Sequence, residues 1–365
     1  MSNLKYWLAL NFIPDIGPVL AGRLLSAFGS PENVLQMSVK ELKQVEDIGE
    51  NRARNIAGFN QWKTVREEIE NAEKHNVSLI TRNDKAYPEM LKRIHGAPLM
   101  LYVKGGLKDT DKYAIAMVGS RTSTHYGMQI AEKMSHKLSS SGLTVVSGMA
   151  RGIDSVSHRG ALKAGGRTLA VLGAGINVPY PPENGKLLEE IASSGAVISE
   201  FPFGTLPNKE NFPRRNRIIS ALSLGVIVIE ATLDSGSLIT VAYALEQGKE
   251  VFAVPGNITS KNSKGTNDLI KKGAKLIESA EEVLEELRPQ IKGILREEKT
   301  CPEKALPAMT DDEKALYNYL SSEPKHIDAI IREINIPTSK ALSVLLALEL
   351  KGVVRQMQGK NFSLN

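Results

Sequence analysis

The chain has 365 residues, of which 42% are hydrophobic, and 46 Lys and Arg against 41 Asp and Glu leave a net charge of +5. That length predicts two to three domains with at least one sizeable core, and the composition excludes collagen-like, disulfide-stapled and wholly disordered chains. No apolar run reaches the roughly 18–20 residues of a membrane helix, Met1 to Leu10 carry no cationic leader, and the single Cys301 can form no internal disulfide or cysteine-rich zinc site. A cytoplasmic protein with no membrane partner is the expectation, and its slight excess of basic groups permits an anionic partner without demanding one.

Residues 1 to 81 read as a small helical domain with an internal echo. Ile13-Pro-Asp-Ile-Gly17 and Val45-Glu-Asp-Ile-Gly49 each precede a helix start with an apolar residue further on. From 82 to 288, strand-length apolar runs alternate with helical segments: 113–119, 143–147, 167–173, 196–199, 225–230, 250–254 and 274–277. Between the first two, Ile130, Met134 and Leu138 make one apolar stripe over 126–140, with Lys133 and Lys137 on the wet side. Runs buried on both faces and separated by helices predict an α/β domain, a doubly wound, mostly parallel sheet. Pro289, Pro302 and Pro307 among Lys and Glu mark 289–308 as a linker. Helices near 311–320, 326–333 and 338–351, followed by a two-stranded hairpin over 352–364, then predict a winged-helix domain at 309–365.

Val118-Gly-Ser-Arg-Thr-Ser-Thr124 lies where a strand gives way to a helix. Free helix-start N–H groups with Ser120, Arg121 and Ser123 would suit a phosphate; a loop with ordinary Ser/Thr capping is the alternative. Leu172-Gly-Ala-Gly-Ile-Asn-Val178 has G-x-G but Val178 at the third glycine position and prolines beyond, which makes it a turn rather than a nicotinamide site. Gly160 to Gly165 lacks the lysine of an ATP loop. Residues 201–217 hold Lys209, Arg214, Arg215 and Arg217 against one acid, Glu210, and three of the chain's eight phenylalanines. A basic loop with interleaved rings suits single-stranded nucleic acid, cations following phosphates and a ring stacking a base. Phe201 and Phe203 are expected to pack inward and Phe212 to be the exposed ring. Ser235-Gly-Ser-Leu-Ile-Thr240 opens another helix as a second anion site or a capped start. The six histidines show no metal spacing, and no G-x-S-x-G nucleophile elbow occurs.

Val118–Arg121, Ser147-Gly-Met-Ala-Arg-Gly-Ile-Asp154, Ala170–Gly173 with Tyr180-Pro181, Ile198–Glu200, Phe212-Pro213 with Arg215-Asn-Arg-Ile-Ile-Ser220, Ser235–Thr240, Val251–Gly256 and Gly265–Asn267 together resemble the DNA-processing protein A (DprA, or Smf) family of bacterial single-stranded DNA-binding proteins. The resemblance covers the core in chain order. It implies an extended Rossmann-like domain that binds single-stranded DNA, a homodimer, and loading of the RecA recombinase onto DNA during natural transformation. It makes Arg121 a phosphate contact and Lys209 with Phe212 a phosphate-and-base pair, and it completes a candidate set of Gly119, Ser120, Arg121, Ser123, Gly148, Arg151, Lys209, Phe212, Arg215, Asn216, Arg217 and Ser237. No catalytic residue, metal or cofactor is expected. The Asp-Ile-Gly pair resembles a SAM-like helix-hairpin-helix element, for DNA or for protein contact since Asp15, Asp47 and Glu50 flank it, and the tail resembles the family's winged helix. Residues 310–365 hold seven bases and seven acids, so their net charge is zero. The rival reading is a nucleotide-processing enzyme of phosphoribohydrolase type, whose Pro-Gly-Gly-x-Gly-Thr loop is missing where Pro255-Gly256 meets Asn257.

Overall fold

The repeated Asp-Ile-Gly makes the same turn twice. Asp15 and Asp47 both take positive φ (61° and 64°), a conformation that a short polar side chain tolerates better than most. Ile16 and Ile48 drop into one apolar cluster, and Gly17 and Gly49 precede their helices with nearly identical extended backbones. The acids of the second copy are neutralised locally, since Arg23 pairs with Asp47 and Lys43 with Glu50.

The computed structural model describes residues 3–291, 307, 309–321, 324–357 and 359–364. The chain divides into two units, Met1–Arg296 and Glu297–Asn365. The first opens with α1 (Leu4–Phe12), α2 (Pro18–Phe28), α3 (Pro31–Gln36), α4 (Val39–Leu42), α5 (Glu50–Ala57) and α6 (Trp62–Lys74). It continues through β1 (Val77–Thr81), α7 (Glu89–Lys92), β2 (Met100–Gly105), β3 (Ala114–Val118), α8 (His125–Ser140), β4 (Thr144–Ser147), α9 (Ile153–Lys163), β5 (Thr168–Val171), α10 (Gly185–Ser194) and β6 (Ala196–Ser199). After these come α11 (Asn211–Ala221), β7 (Gly225–Val228), α12 (Ser237–Glu246), β8 (Glu250–Ala253), α13 (Lys264–Lys271), β9 (Lys275–Leu276) and α14 (Ala280–Ile291).

Nine strands form one sheet in the order β1-β2-β6-β5-β4-β3-β7-β8-β9. The run from β6 to β9 is parallel; β2 pairs antiparallel with β6, and β1 pairs antiparallel with β2. Strand alternation sorts the core into two faces. Ala116, Val118, Val226 and Val228 meet α11 and α12, whereas Ile115, Met117, Ile227 and Ile229 meet α8, α9 and α14. Each of the larger of these side chains contributes about 1.5–3 kcal/mol by burial, which is why a helix covers each face. The expected boundary at 82 is not a packing boundary: β1 precedes it, and Leu8, Ala9 and Val65 share a cluster with Met100, Tyr102 and Val197 of the sheet. Likewise α14 runs to Ile291, past the expected edge at 288. Cys301 and Pro302 of the expected linker lie outside the described residues.

The second unit is a winged-helix domain. α15 (Asp311–Tyr319), β10 (Lys325–His326), α16 (Ile327–Ile334), α17 (Thr338–Leu350), β11 (Val354–Met357) and β12 (Asn361–Leu364) close around Leu316, Ile330, Leu345, Leu348 and Phe362. β12 pairs with both β10 and β11.

Candidate nucleic-acid interface

In the parallel part of the sheet β3 is the first strand, later strands run outward on either side of it, and the direction of winding changes between β3 and β7. Ligands of doubly wound sheets bind beyond the carboxyl ends of the strands at such a point. A cleft of about 720 Å³ lies there, lined by Gly119, Ser120, Arg121, Thr122, Asp154, Tyr180, Lys209, Phe212, Arg215, Asn216, Thr232, Ser235 and Ser237 among others. Eight of the twelve candidates from the sequence therefore share one cavity. Gly148 and Arg151 line an adjoining recess of about 30 Å³ together with Arg121, Phe212 and Arg215. Ser123 and Arg217 line neither.

The helix-start reading at 118–124 needs correction. Thr124 is the N-cap of α8, its hydroxyl accepting from Gly127 N–H. The buried Glu230 carboxylate takes Thr124 N–H at 2.8 Å and the Thr124 hydroxyl at 2.5 Å. The protein's own anion thus occupies the place assigned to a phosphate, and a Cβ on Gly127 would collide with it. What remains for a ligand is the exposed Arg121 side chain and the cleft-lining Ser120 ahead of the helix. Their loop is propped from below: Gly152, at φ +73°, packs on the carbonyls of Ser120 and Arg121 where any Cβ would clash, and Ile153 N–H donates to Ser120 O. The start of α12 is filled locally too, Ser237 N–H donating to Ser235 Oγ at 3.4 Å.

The basic segment is also not the uniform loop that its composition suggests, because its last seven residues open α11. Arg217 is buried and paired with the buried Glu200 at 2.5 Å. Arg214 stands 5.2 Å over the ring of Phe201, which is itself buried, and Phe203 packs on His75 and Tyr102. Arg215 lies in the cleft floor, donating to the carbonyls of Gly148 and Val171 at the ends of β4 and β5, and from Nε to Asn216. Gly148 is glycine because that guanidinium fills the space of a Cβ. Burial pushes the Arg215 pKa down to about 10, against the pull of Asp154, so it stays charged at neutral pH. Burial pushes the Asp154 carboxyl up, with Arg215 the chief influence pulling it down. His158 beneath them is pushed down to about 3 and is neutral. Lys209, in the turn before α11, is exposed and joins no ion pair among the described residues.

Phe212 is half-buried on the cleft wall. Gly173 gives its ring clearance, Tyr180 lies 5.7 Å away at 36°, and the Arg121 guanidinium stands 5.0 Å from its centroid. The G-x-G at 173–175 thus serves close packing of a ring, with no helix following it. Arg151 is held by both oxygens of Glu183. Sequence reasoning did not weigh Tyr180 as a site residue, although it is more than one-third exposed beside Phe212; its place among the family-like motifs was the available signal. Met149, held at φ +63° while buried, was also missed. Strain of that kind, about 1–3 kcal/mol, collects at functional sites and leaves no mark in composition. Among the described residues no group of His, Cys, Asp and Glu could hold a metal, and no helix is long and apolar enough to cross a membrane.

The model of the DNA recombination-mediator protein A family matches residues 78–288, a DprA winged-helix model matches 301–360, and a SAM-like helix-hairpin-helix tandem matches 8–57. The chain is 33% identical to Protein Smf of Synechocystis, over 99% of this chain and 98% of that one. It is 44% identical to the DNA processing protein DprA of Bacillus subtilis, over 58% of this chain and 71% of that one. The X-ray structure of DNA processing protein A from Streptococcus pneumoniae is similar with a TM-score of 0.69 and 34% identity, over 77% of this chain and 97% of that one. A structure of DNA processing protein A from Helicobacter pylori, described for its unique single-stranded DNA binding mode, has a TM-score of 0.53 and 30% identity, over 59% of this chain and 96% of that one. With its sheet matched by the family model and almost its whole length matched by a relative one-third identical to it, the chain belongs to the DprA/Smf family of DNA recombination mediators.

Proposed function

We propose that the switch-point cleft binds single-stranded DNA, that the protein acts as a homodimer, and that it delivers the strand to a RecA-type recombinase, in natural transformation among other DNA processing. The observation that carries this reading is the cluster of Arg121, Lys209 and Phe212 on one cavity at the carboxyl edge of the sheet. Two cations that can follow phosphates flank a ring that can meet a base. The single-stranded DNA named for the Helicobacter pylori neighbour supports the substrate, and the family's description as a recombination mediator supports the partner. Gly119, Ser120, Arg215, Asn216 and Ser237 shape the cleft in this reading, with Gly148 and Arg151 in the recess beside it.

Filter binding with a labelled oligothymidine tests it. Binding is expected to be salt-dependent and weakly sequence-selective, with duplex of equal length a poor competitor. Equal competition by duplex would refute the substrate, and unchanged recombinase filament assembly on the same strand would refute the delivery step. Dimerisation, which rests on the family resemblance, would offer one strand two clefts and raise affinity through avidity. Light scattering is expected to give twice the chain mass at about 10 micromolar, a concentration well above ordinary subunit dissociation constants.

A further inference from the structure

The row of loops at the carboxyl edge of the sheet does not end at the cleft. Beyond β3 and β7 comes β8, whose following segment leads through Asn257 to Lys264. This segment is fastened to both loops of the switch point. Asn262 Nδ2 donates to Thr122 O at 2.8 Å, Ala231 N–H donates to Asn262 O at 2.7 Å, and Gly265 N–H donates to Ala231 O at 2.7 Å. A Cβ on Gly265 would strike the carbonyls of Ala231 and Thr232, and Ser263 and Thr266 are buried. The backbone is thereby held against the cleft-lining Thr122 and Thr232, while the two lysines on either side of that anchor, Lys261 and Lys264, are exposed and join no ion pair among the described residues. The bond from Asn262 to Thr122 brings the β8 loop against the loop of Arg121, so its two lysines stand beside that arginine, where the next phosphates of a bound strand would run.

We propose that Lys261 and Lys264 form a second phosphate site, so that a single strand crosses the cleft from Phe212 over Arg121 and continues along the sheet edge past β8. This rests on the cleft being the single-stranded DNA site, and it assigns that strand a direction of travel. The strand makes two kinds of contact: a ring and cations within the cleft, which a short oligonucleotide satisfies, and phosphate contacts beyond it, which only a longer one reaches.

The test compares the full chain with the double variant Lys261→Ala/Lys264→Ala, with Arg121→Ala, and with a charge-matched control, Lys74→Ala/Lys133→Ala, whose lysines are exposed on other helices. Each is titrated with oligothymidines of about six and about twenty nucleotides across a range of salt. The β8-loop variant is expected to bind the short oligonucleotide as the parent does and the long one about fivefold more weakly, with its salt slope lowered by about 1.4, two phosphates at about 0.7 each. Parental binding of the long oligonucleotide by that variant, or an equal loss in the control, would overturn the second site. If Arg121→Ala also left both oligonucleotides unaffected, the cleft itself would be the wrong site, which is a separate failure.

Discussion

Arg217→Met is expected to cost about 3 kcal/mol of stability, the lower end of what leaving a buried charge without its partner costs, because the half-exposed Arg214 still stands 3.9 Å from Glu200. In a unit of this size that corresponds to a fall in melting temperature of about 5 °C. Arg217 and Glu200 sit 2.5 Å apart with side chains one-tenth exposed or less, joining α11 to the end of β6. Burial pushes the Glu200 carboxyl up, while Arg217 and then Arg214 pull it down. Removing Arg217 raises that pKa further above its unfolded value. A carboxyl raised in this way favours the folded state once it is protonated, so the deficit of Arg217→Met narrows as pH falls below neutrality. Glu200→Gln/Arg217→Met, which leaves no bare charge, is expected to recover much of the loss. Differential scanning calorimetry of the three variants at pH 7 and pH 5 measures both effects. A full-stability Arg217→Met with weakened DNA binding would instead restore the surface role that the sequence suggested for this residue.

That reversal shows where the sequence was readable. The parallel strands were legible as unbroken apolar runs buried on both faces, and the winged helix by the apolar stripes of its helices: Ala196–Ser199 forms over the very residues anticipated, and α17 ends one residue short of its expected limit. β1 and β2 escaped because neither belongs to the strand-helix alternation that revealed the rest; they pair antiparallel at the sheet edge. Charge was less legible than pattern. Lys209, Arg214, Arg215 and Arg217 are equivalent in composition, yet the helical turn of α11 sends Arg217 to a buried acid and Arg215 to two backbone carbonyls. Glu230 gave no signal at all, because it approaches the start of α8 from just beyond β7, more than one hundred residues later in the chain. Pairing across such distances is a property of topology, and only the sheet order reveals it.

Arg121 and Phe212 are expected to act as one unit in binding. The sequence suggests a division of labour in which the arginine sets the salt slope and the ring sets stacking, but the guanidinium stands 5.0 Å from the ring centroid. A cation over a ring is worth about 0.5–2 kcal/mol and fixes where the cation sits. Phe212→Ala is therefore expected to lose about 1–3 kcal/mol of binding from the missing stack and also to flatten the salt slope, because Arg121 loses its seat. In a double-mutant cycle with Arg121→Ala the two losses should fall short of additivity by about 0.5–2 kcal/mol. Phe212→Leu separates packing from stacking: it still fills the space above Gly173, so it should keep the melting temperature that Phe212→Ala lowers, while binding as weakly as the alanine variant. Losses that add within about 0.3 kcal/mol would mean that the two side chains meet the strand independently. Parental affinity in Phe212→Leu would remove the aromatic face from the mechanism and leave Arg121 and Lys209 to hold the strand by its phosphates.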